Sequence, residues 1–468
     1  MPQDSLTEKA INHARDNQEE TLNDLYEFLR IPSVSTQPER ADDVAAAAQW
    51  CADAMQRAGL DDVEVIPTPR HPLVFGQWLG AGIDRPTVLI YGHYDVQPEE
   101  PIDLWETPPF EPTRRGDYIY ARGATDDKGQ LLVHLKAVQS LMAVSGSLPV
   151  NVKFLLEGEE EIGGMSLEAF IPSNLAKLRA DVVLISDTPM LGLGQPSIVY
   201  GLRGICYMMM DLTGPSRDLH SGAFGGGINN PLNALGRVIA GLQDDQGHIL
   251  IPGFYDKVRS LSQEERELLA ETAIDEAAWL ADTGAPDVWG EPEYTLVERI
   301  GARPSLDVHG IVGGYTGVGA KTVLPSTVHA KISMRLVPDQ QPEEIADLFT
   351  AHVRALLPPT ITANIVYNSG ARASISDYNT EAMRAVRSAY AEVFGKTPVL
   401  SREGGSIPVV GALQTQLGVE TVLMGFGLPD DRAHAPNERF YLPNLYQGIE
   451  TAIRFLTTYG GDRNQKGL

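Results

Sequence analysis

This sequence predicts an α/β fold in which helices flank a mainly parallel β-sheet. It also predicts a second, α+β domain that is inserted into the chain. Short apolar segments of strand-like composition alternate with helical segments from about residue 20 to residue 185, which is the rhythm of a parallel sheet. That rhythm is lost after about Arg203 and returns from about Ser374. We therefore predict one domain formed by residues 1–204 together with 374–468, and an inserted domain formed by residues 205–373.

Size and composition support more than one domain and exclude several classes of partner. The chain has 468 residues, of which 43% are hydrophobic, enough for two cores. Its 37 basic residues are outnumbered by 62 acidic ones, and the formal net charge of −25 opposes binding to nucleic acid or to an anionic membrane. Met1 to Asn17 lack the apolar core of a signal peptide and no run is long enough to span a membrane, so we expect a cytoplasmic protein. The two cysteines, Cys51 and Cys206, lie in apolar surroundings and are expected to be buried free thiols.

The first part of the chain predicts most of the sheet. Leucines and aromatic residues at helical spacing predict a helix over 20–29, which Pro32 prevents from continuing. The apolar run 88–91 is short, rich in β-formers and followed by Gly92, which is typical of a buried strand. The same reasoning predicts helices over 42–58, 130–144 and 167–178, and strands over 63–66, 73–79, 118–120, 150–156 and 180–185.

The middle of the chain lacks this regular alternation. Its predicted strands span 206–212, 328–336 and 361–367, and its predicted helices span 230–242, 263–282 and 342–356. The interval 251–314 is polar and rich in Pro, Gly and acidic residues, and only a helix is predicted within it. In the final part, helices are predicted over 379–394 and 445–459, and strands near Val399 and over 421–426.

Acidic and imidazole side chains follow the predicted strands at several points. His93 and Asp95 come directly after strand 88–91, and in an extended segment two such residues point to the same side. Similar groups follow other predicted strands, namely Asp126/Asp127, Glu157/Glu159/Glu160/Glu161, Asp187 and His434. Each group alone is typical of a helix cap, a charged turn or a surface histidine. Together at one edge of a sheet they would repel one another unless a cation lay between them, and two histidines with carboxylates and no cysteine suit Zn or Mn.

Six short motifs resemble those of the M20 metallopeptidases, and most closely their cytosolic non-specific dipeptidase (carnosinase-like) branch. In order along the chain they are GHYDVQP from Gly92, GATDDKG from Gly123, EGEEE from Glu157, ISD from Ile185, DLHSG from Asp218, and Ala433-His434. The resemblance extends from about residue 20 to residue 460. It implies a zinc-exopeptidase-like catalytic domain and an inserted lid and dimerisation domain.

The resemblance also implies roles for the residues at the edge of the sheet. Asp126 would bridge two divalent metal ions per subunit, about 3.5–4 Å apart, and its peptide bond to Asp127 would be cis. The remaining ligands would be His93 and Asp187 for one ion, and Glu161 and His434 for the other. Glu160 would be the general base, and Asp95 would orient His93. Glu159 is expected to be a solvated bystander.

Four residues of the inserted domain and its flank receive roles through the same resemblance. His220 would reach into the active site of the partner subunit of a homodimer and donate a hydrogen bond to the developing oxyanion. Arg335 would bind the C-terminal carboxylate of the substrate, while Thr322 and Ser406 would contact substrate. A loop histidine, a surface arginine and a simple turn are the structural alternatives for these positions.

The resemblance implies hydrolysis of the peptide bond of dipeptides or other short, unblocked peptides. The motifs alone leave open an amidohydrolase that removes N-acyl or N-carbamoyl groups from amino acids. A catalytically silent metal-binding scaffold is a third alternative. The combined presence of Glu160, Asp95 and His220 argues against it, because a scaffold needs none of them.

Overall fold

The computed structural model describes residues 3–461 and divides the chain into two compact units. The first unit comprises the residues up to Tyr200, residues 376–400 and the residues from Pro408 onwards. The second comprises residues 201–375 and 401–407. Segment 401–407, which the sequence pattern assigned to the last part of the chain, thus groups with the middle part. No helix among residues 3–461 is long and apolar enough to cross a membrane.

Residues 3–202 contain six α-helices and eight strands. In chain order they are α1 (Gln3–Asp16), α2 (Gln18–Leu29), α3 (Ala41–Arg57), β1 (Asp61–Ile66), β2 (Leu73–Trp78), β3 (Thr87–His93), β4 (Thr113–Arg115), β5 (Tyr118–Tyr120), α4 (Lys128–Ser145), β6 (Asn151–Glu157), α5 (Met165–Phe170), α6 (Leu175–Leu178), β7 (Val182–Ile185) and β8 (Ser197–Leu202). The single helix predicted over 167–178 is wrong, because a 3₁₀ turn at Ile171–Ser173 separates α5 from α6. Pro172 lies in that turn and cannot donate the hydrogen bond that a continuous α-helix would need. Helix α1 was not predicted.

The middle part contains a further six helices and six strands. They are β9 (Gly204–Thr213), β10 (Leu219–His220), α7 (Ser221–Phe224), α8 (Pro231–Ala240), α9 (Gln263–Ala270), α10 (Glu276–Thr283), α11 (Leu296–Gly301), β11 (Ser305–Gly313), β12 (Val323–Leu324), β13 (Thr327–Leu336), α12 (Pro342–Leu356) and β14 (Thr362–Ala371). The helix predicted over 263–282 is two helices, and Asp275 caps the second by accepting the N–H groups of Ala277 and Ala278. Strand β11 lies in the interval for which no strand was predicted.

The last part contributes β15 (Ser374–Ile375), α13 (Glu381–Phe394), β16 (Val399–Glu403), α14 (Pro408–Leu417), β17 (Thr421–Leu423), β18 (Arg439–Tyr441) and α15 (Leu442–Gly461). The predicted helices 379–394 and 445–459 correspond to α13 and α15. The strand predicted over 421–426 ends three residues earlier.

The sheet of the first unit has a parallel centre. Its strands follow the order β1-β2-β6-β3-β7-β17-β8, in which the neighbours β6-β3-β7-β17 are parallel and the outer pairs are antiparallel. All seven residues of β6 are buried, as expected for a strand covered on both faces. Helix α4 packs against β3 and contacts α1, α2, α3 and α15, while α14 packs against β17, α5 and α6. A mainly parallel sheet flanked by helices is therefore confirmed.

The second unit is built on an antiparallel sheet with strand order β11-β13-β9-β14. Buried and less buried residues alternate along β9, so that one face carries Cys206, Met208, Met210 and Leu212 into the core. Helices α8 and α12 pack on this sheet. Cys206, like Cys51 in the first unit, is a buried free thiol, as predicted.

Candidate metal centre and active site

The parallel strands of the first unit bring the predicted site residues to one edge of the sheet. In the register of the sheet His93 pairs with Glu157 at the end of β6, and Tyr91 of β3 pairs with Ile185 at the end of β7. The residues that follow β6 and β7 include Glu160, Glu161 and Asp187. They leave the sheet at the same edge, the end at which open α/β sheets bind their ligands.

Two groups of three side chains at this edge could each hold a metal ion. The first group is His93, Asp126 and Asp187, and the second is Asp126, Glu161 and His434; within each group the ligand atoms lie within 4.8 Å of one another. Nε2 of His93 lies 3.1 Å from Oδ1 of Asp126 and 3.8 Å from Oδ2 of Asp187. Nε2 of His434 lies 2.9 Å from Oδ2 of Asp126 and 3.3 Å from Oε2 of Glu161. All five residues that the sequence predicts as ligands are thus brought together.

Asp126 belongs to both groups, and each of its carboxylate oxygens faces a different histidine. The peptide bond between Asp126 and Asp127 is cis, as the resemblance implied. Oδ2 of Asp127 accepts the main-chain N–H of His93 at 3.2 Å. The two neighbouring aspartates therefore have different partners, one facing the cluster and one facing the end of β3.

Asp95 connects β3 to the loop after β6. Its two carboxylate oxygens accept the main-chain N–H groups of Glu160 (3.2 Å) and Glu161 (3.1 Å). Nδ1 of His93 lies closer to the carbonyl oxygen of Asp95 (3.1 Å) than to its carboxylate (3.4 Å). Asp95 thus contacts the ring of His93 chiefly through its main chain, and its side chain holds the main chain of the predicted base.

A segment near the N-terminus supports Asp95. The hydroxyl of Ser35 donates to Oδ2 of Asp95 at 2.6 Å. Two residues earlier, the hydroxyl of Ser33 donates to the carbonyl of Tyr94 at 2.6 Å, and the N–H of Val96 donates to the carbonyl of Ser33. The sequence around Ser35 carries no local signal of this role, because its partners lie about sixty residues further along the chain.

Burial and mutual repulsion shift the pKa values of the clustered carboxyl groups. Burial, together with Asp187 and Asp126, raises the pKa of Glu160 to about 8 although His93 opposes the shift, and burial with Asp126 raises the pKa of Glu161 to about 9. Hydrogen bonds to Asp126 raise the pKa of His434 to about 9, even though its side chain is 56% exposed. Such a crowd of buried acids and imidazoles is the setting that a divalent cation stabilises.

Oε1 of Glu161 is a second indication that a cation fits here. This oxygen is buried and has no hydrogen-bond partner among the described residues. The other carboxylate oxygen of Glu161, Oε2, accepts the side-chain amide of Gln97 at 2.7 Å. A buried carboxylate oxygen without a donor is costly unless a ligand satisfies it. The donor set of imidazole nitrogens and carboxylate oxygens matches Zn and Mn.

The expectation for Glu159 is wrong. Its side chain is 1% exposed, and its two oxygens accept the main-chain N–H groups of His71 (2.9 Å) and Ser166 (3.2 Å). A charged residue next to glycines in a polar sequence predicts exposure, but here the carboxylate accepts hydrogen bonds from the loop between β1 and β2 and from the first turn of α5. Its role in the structure is to join that loop to that helix.

Four predicted residues lie in the second unit, two of them near β10 and β12 and two near the end of β13. His220 is exposed on β10, which pairs with β12, and its Nδ1 accepts the N–H of Gly222 at 3.0 Å; the carbonyl of Thr322 accepts the N–H of the next residue, Ser221. The half-buried Arg335 of β13 donates from Nη1 to the hydroxyl of Ser406 at 3.0 Å.

Arg203 is a residue of the second unit that the sequence reasoning missed. The hydroxyl of Ser406 donates to its carbonyl oxygen at 2.6 Å. Burial, with the nearby Arg335, lowers the pKa of Arg203 to about 10. The sequence around Arg203 does not indicate that a second arginine lies nearby. Only the fold brings Arg335 close to it.

The family model for peptidase family M20/M25/M40 matches residues 89–458. A Cys-Gly metallodipeptidase, DUG1, of Candida albicans is 33% identical over 93% of this chain and 94% of its own length. The human Beta-Ala-His dipeptidase is 31% identical over 97% of this chain and 93% of its own length. The crystal structure of Sso-CP2, an M20 family metallo-carboxypeptidase from Sulfolobus solfataricus, superposes with a TM-score of 0.84 at 34% identity, covering 94% of this chain and 99% of that one. With a family model over most of its length and relatives above 30% identity along nearly the whole chain, this protein belongs to peptidase family M20/M25/M40 and is a metallopeptidase.

Proposed function

We propose that this protein hydrolyses the peptide bond of dipeptides with free termini by means of two divalent metal ions per subunit. The observation that carries the proposal is the position of Asp126, whose two oxygens face two separate groups of potential ligands. In the proposal His93 and Asp187 complete one metal site, and Glu161 and His434 complete the other. Zn and Mn are the proposed metals, because the ligands are imidazoles and carboxylates.

When bound, two such ions lower the pKa of a water molecule and polarise the scissile carbonyl. Glu160 takes a proton from the attacking water and passes it to the leaving amine. A carboxylate can perform both transfers, first as general base and then as general acid. The carboxylate of Asp95 holds the main-chain N–H of Glu160, which restricts where the base can lie.

Arg335, Ser406 and Thr322 are proposed to bind substrate. The guanidinium of Arg335 suits the terminal carboxylate of a peptide, since it can donate two parallel hydrogen bonds. Its present bond to the hydroxyl of Ser406 supports this pairing, because both groups would then face the same carboxylate. The named activities of the relatives, on Cys-Gly and on Beta-Ala-His, support a dipeptide as substrate.

His220 is proposed to act in the active site of the partner subunit of a homodimer, with residues 205–373 as lid and dimerisation domain. Nδ1 of His220 accepts a backbone N–H, so a neutral ring carries its proton on Nε2. That tautomer can donate a hydrogen bond to an oxyanion. The protein is proposed to work in the cytoplasm, which its two free cysteines support.

A substrate panel tests the proposal against its rivals. Purified protein with added Mn²⁺ or Zn²⁺ is assayed on Cys-Gly, β-alanyl-histidine and other dipeptides, on the same dipeptides with an acetylated N-terminus, and on N-acetyl and N-carbamoyl amino acids. We expect the highest kcat/KM on free dipeptides. Preferred hydrolysis of the acylated amino acids would replace the proposal with the amidohydrolase. Metal binding without turnover of any substrate would support the scaffold.

The likeness to a metallo-carboxypeptidase supports a second candidate, release of the C-terminal residue from longer peptides. Adding tripeptides and tetrapeptides to the panel separates the two. A kcat/KM that falls by tenfold or more for each added residue indicates a dipeptidase, whereas equal values indicate a carboxypeptidase.

A further inference from the structure

Glu438 is a fully buried carboxylate four residues after His434, directly before β18. It is 0% exposed and belongs to neither group of potential metal ligands. The strand that it precedes pairs with β5, and β5 leads directly into the turn that carries Asp126. Glu438 therefore lies beside the main chain that presents the shared ligand.

Both oxygens of Glu438 are fully engaged with that turn. Oε2 accepts hydrogen bonds from Nη1 of Arg122 (2.7 Å) and from the N–H of Gly123 (3.0 Å). Oε1 accepts the N–H of Thr125 (2.9 Å) and the N–H of Asp126 (3.2 Å). Three main-chain donors from one short segment thus converge on a single carboxylate.

These contacts restrict the position of Asp126. A buried N–H without an acceptor costs about 1–3 kcal/mol, so the turn cannot move away from Glu438 without losing several such bonds together. The main chain of Asp126 is one of the groups held. Its short side chain has only two rotatable bonds with which to place one oxygen toward His93 and the other toward His434.

The charge of Glu438 is compensated by the buried guanidinium of Arg122. Arg122 is 1% exposed, donates from Nη2 to the carbonyl of Pro98 at 3.0 Å, and has its guanidinium carbon 5.5 Å from the ring centre of Trp105. Removing the negative charge would leave this cation buried without its partner. A purely structural ion pair would require the contact with Arg122, but it would not require the three main-chain N–H groups of residues 123–126.

We propose that Glu438 is a positioning residue that sets the affinity of the metal centre by fixing the main chain of Asp126. This inference rests on the proposed function of Asp126 as a metal ligand. Through the short segment 434–438, the same carboxylate also links the loop of His434 to the turn of Asp126. Two of the three potential ligands of the second group are therefore attached to segments that Glu438 joins.

The test measures metal binding directly. Glu438→Gln keeps the size of the side chain but loses the charge, and it places an NH₂ group against donors. Metal-free parent and variant are titrated with Mn²⁺, and separately with Zn²⁺, in competition with a fluorescent chelator, and circular dichroism checks the fold. We expect the affinity of the folded variant to fall by about 10- to 100-fold, the range known for residues that support metal ligands. A change of threefold or less would overturn the inference.

A matched control removes the charge from another buried pair. Glu291 accepts Nη2 of Arg303 at 2.8 Å in the second unit, and Glu291 and Arg303 are 4% and 8% exposed. Glu291→Gln should leave the metal affinity unchanged. If it weakened binding as much as Glu438→Gln, the effect would be a general loss of stability and the inference would fall.

Two further variants cover the case in which Glu438→Gln does not fold and the case in which Asp126 is not a metal ligand. If Glu438→Gln does not fold, Glu438→Asp is titrated instead; it keeps the charge but is one methylene too short to reach all four donors. A loss of more than threefold then supports the inference, and parent affinity overturns it. Asp126→Asn separates this inference from the proposed function. If parent and Asp126→Asn bind metal equally, the proposed centre itself is wrong, whatever Glu438 does.

Discussion

The two units of the protein hold their candidate residues in different ways. In the first unit the carboxylates of Asp95, Asp127 and Glu438 accept main-chain N–H groups of the segments that carry the potential metal ligands. In the second unit His220 is exposed on a two-stranded ribbon, and Arg335 is held through a single hydroxyl. Ligands for metals need fixed positions, whereas groups that bind substrate have to adjust. In the first unit these residues are therefore held by several buried hydrogen bonds, whereas in the second unit fewer contacts restrict the side chains of His220 and Arg335.

Removal of metal tests the first region most strongly. Because the proposed chemistry depends on two cations, chelation should reduce dipeptide hydrolysis to background, and added Mn²⁺ or Zn²⁺ should restore it. Activity is followed before and after dialysis, with metal content measured by mass spectrometry. Full activity in protein shown to be free of metal would contradict the proposed mechanism.

The variant Glu160→Gln separates catalysis from metal binding within the same region. A glutamine cannot take a proton from water, so kcat should fall by about 10²- to 10⁴-fold while the metal content stays at the parent level. Glu168→Gln, which changes an exposed glutamate on α5, is the control and should keep parent activity. A near-parent rate for Glu160→Gln would remove this residue as the base.

The variant His220→Ala tests whether this exposed histidine of the second unit contributes to the active site of the partner subunit. Loss of an oxyanion donor should lower kcat by about 10²- to 10³-fold. Mixing with Glu160→Ala subunits should recover part of the activity, since one site of a mixed dimer would have both residues. His329→Ala, at another exposed histidine of this unit, should have no effect. No recovery after verified subunit exchange would argue against a shared site.

Arg335→Met should raise KM by about 10- to 100-fold with a smaller change in kcat, because a hydrogen bond between charged groups contributes about 1.5–3 kcal/mol. Dipeptides with an amidated C-terminus should lose much less, as they carry no terminal charge. Lys331→Met, on the same strand but exposed, is the control. Equal losses for free and amidated dipeptides would mean that Arg335 does not read the carboxylate.

The smallest effect on turnover is expected for Glu159→Gln. This side chain accepts the main-chain N–H groups of His71 and Ser166 on its two oxygens, and a glutamine can satisfy only one of them with its carbonyl. The free energy of unfolding, measured in urea, should fall by about 1–3 kcal/mol while kcat changes little. A large fall in kcat without loss of stability would place Glu159 among the catalytic groups.

The sequence predicted the cluster of the first unit well, because each of its members follows a short apolar strand. The edge of the sheet then brings His93, Glu161 and Asp187 together, although they lie far apart in the chain. Residues that act through long-range hydrogen bonds could not be predicted in this way. Glu438 and Thr125 are separated by 313 positions, and no local pattern indicates which distant N–H a carboxylate will meet.

Three predictions differ from the structure for reasons that can be traced to particular residues. Strand β11 lies at the edge of the second sheet, and most of its residues are exposed or half-exposed. Its sequence therefore lacks the apolar run by which a buried strand is predicted. The helix predicted over 263–282 is interrupted between Ala270 and Glu276, and the side chain of Asp275 caps the helix that follows. Glu159 is the first of three consecutive glutamates, a pattern typical of a solvated turn, and its burial depends on contacts with a loop at His71 and with the first turn of α5.

The hydroxyl of Ser35, which holds Asp95, has a consequence for the N-terminal region of the chain. Residues 33–35 touch no substrate in the proposed mechanism, yet they reach the carboxylate that holds the base. Replacing Ser35 by alanine should therefore impair turnover, although this residue precedes the first strand and lies sixty positions from Asp95 in the chain.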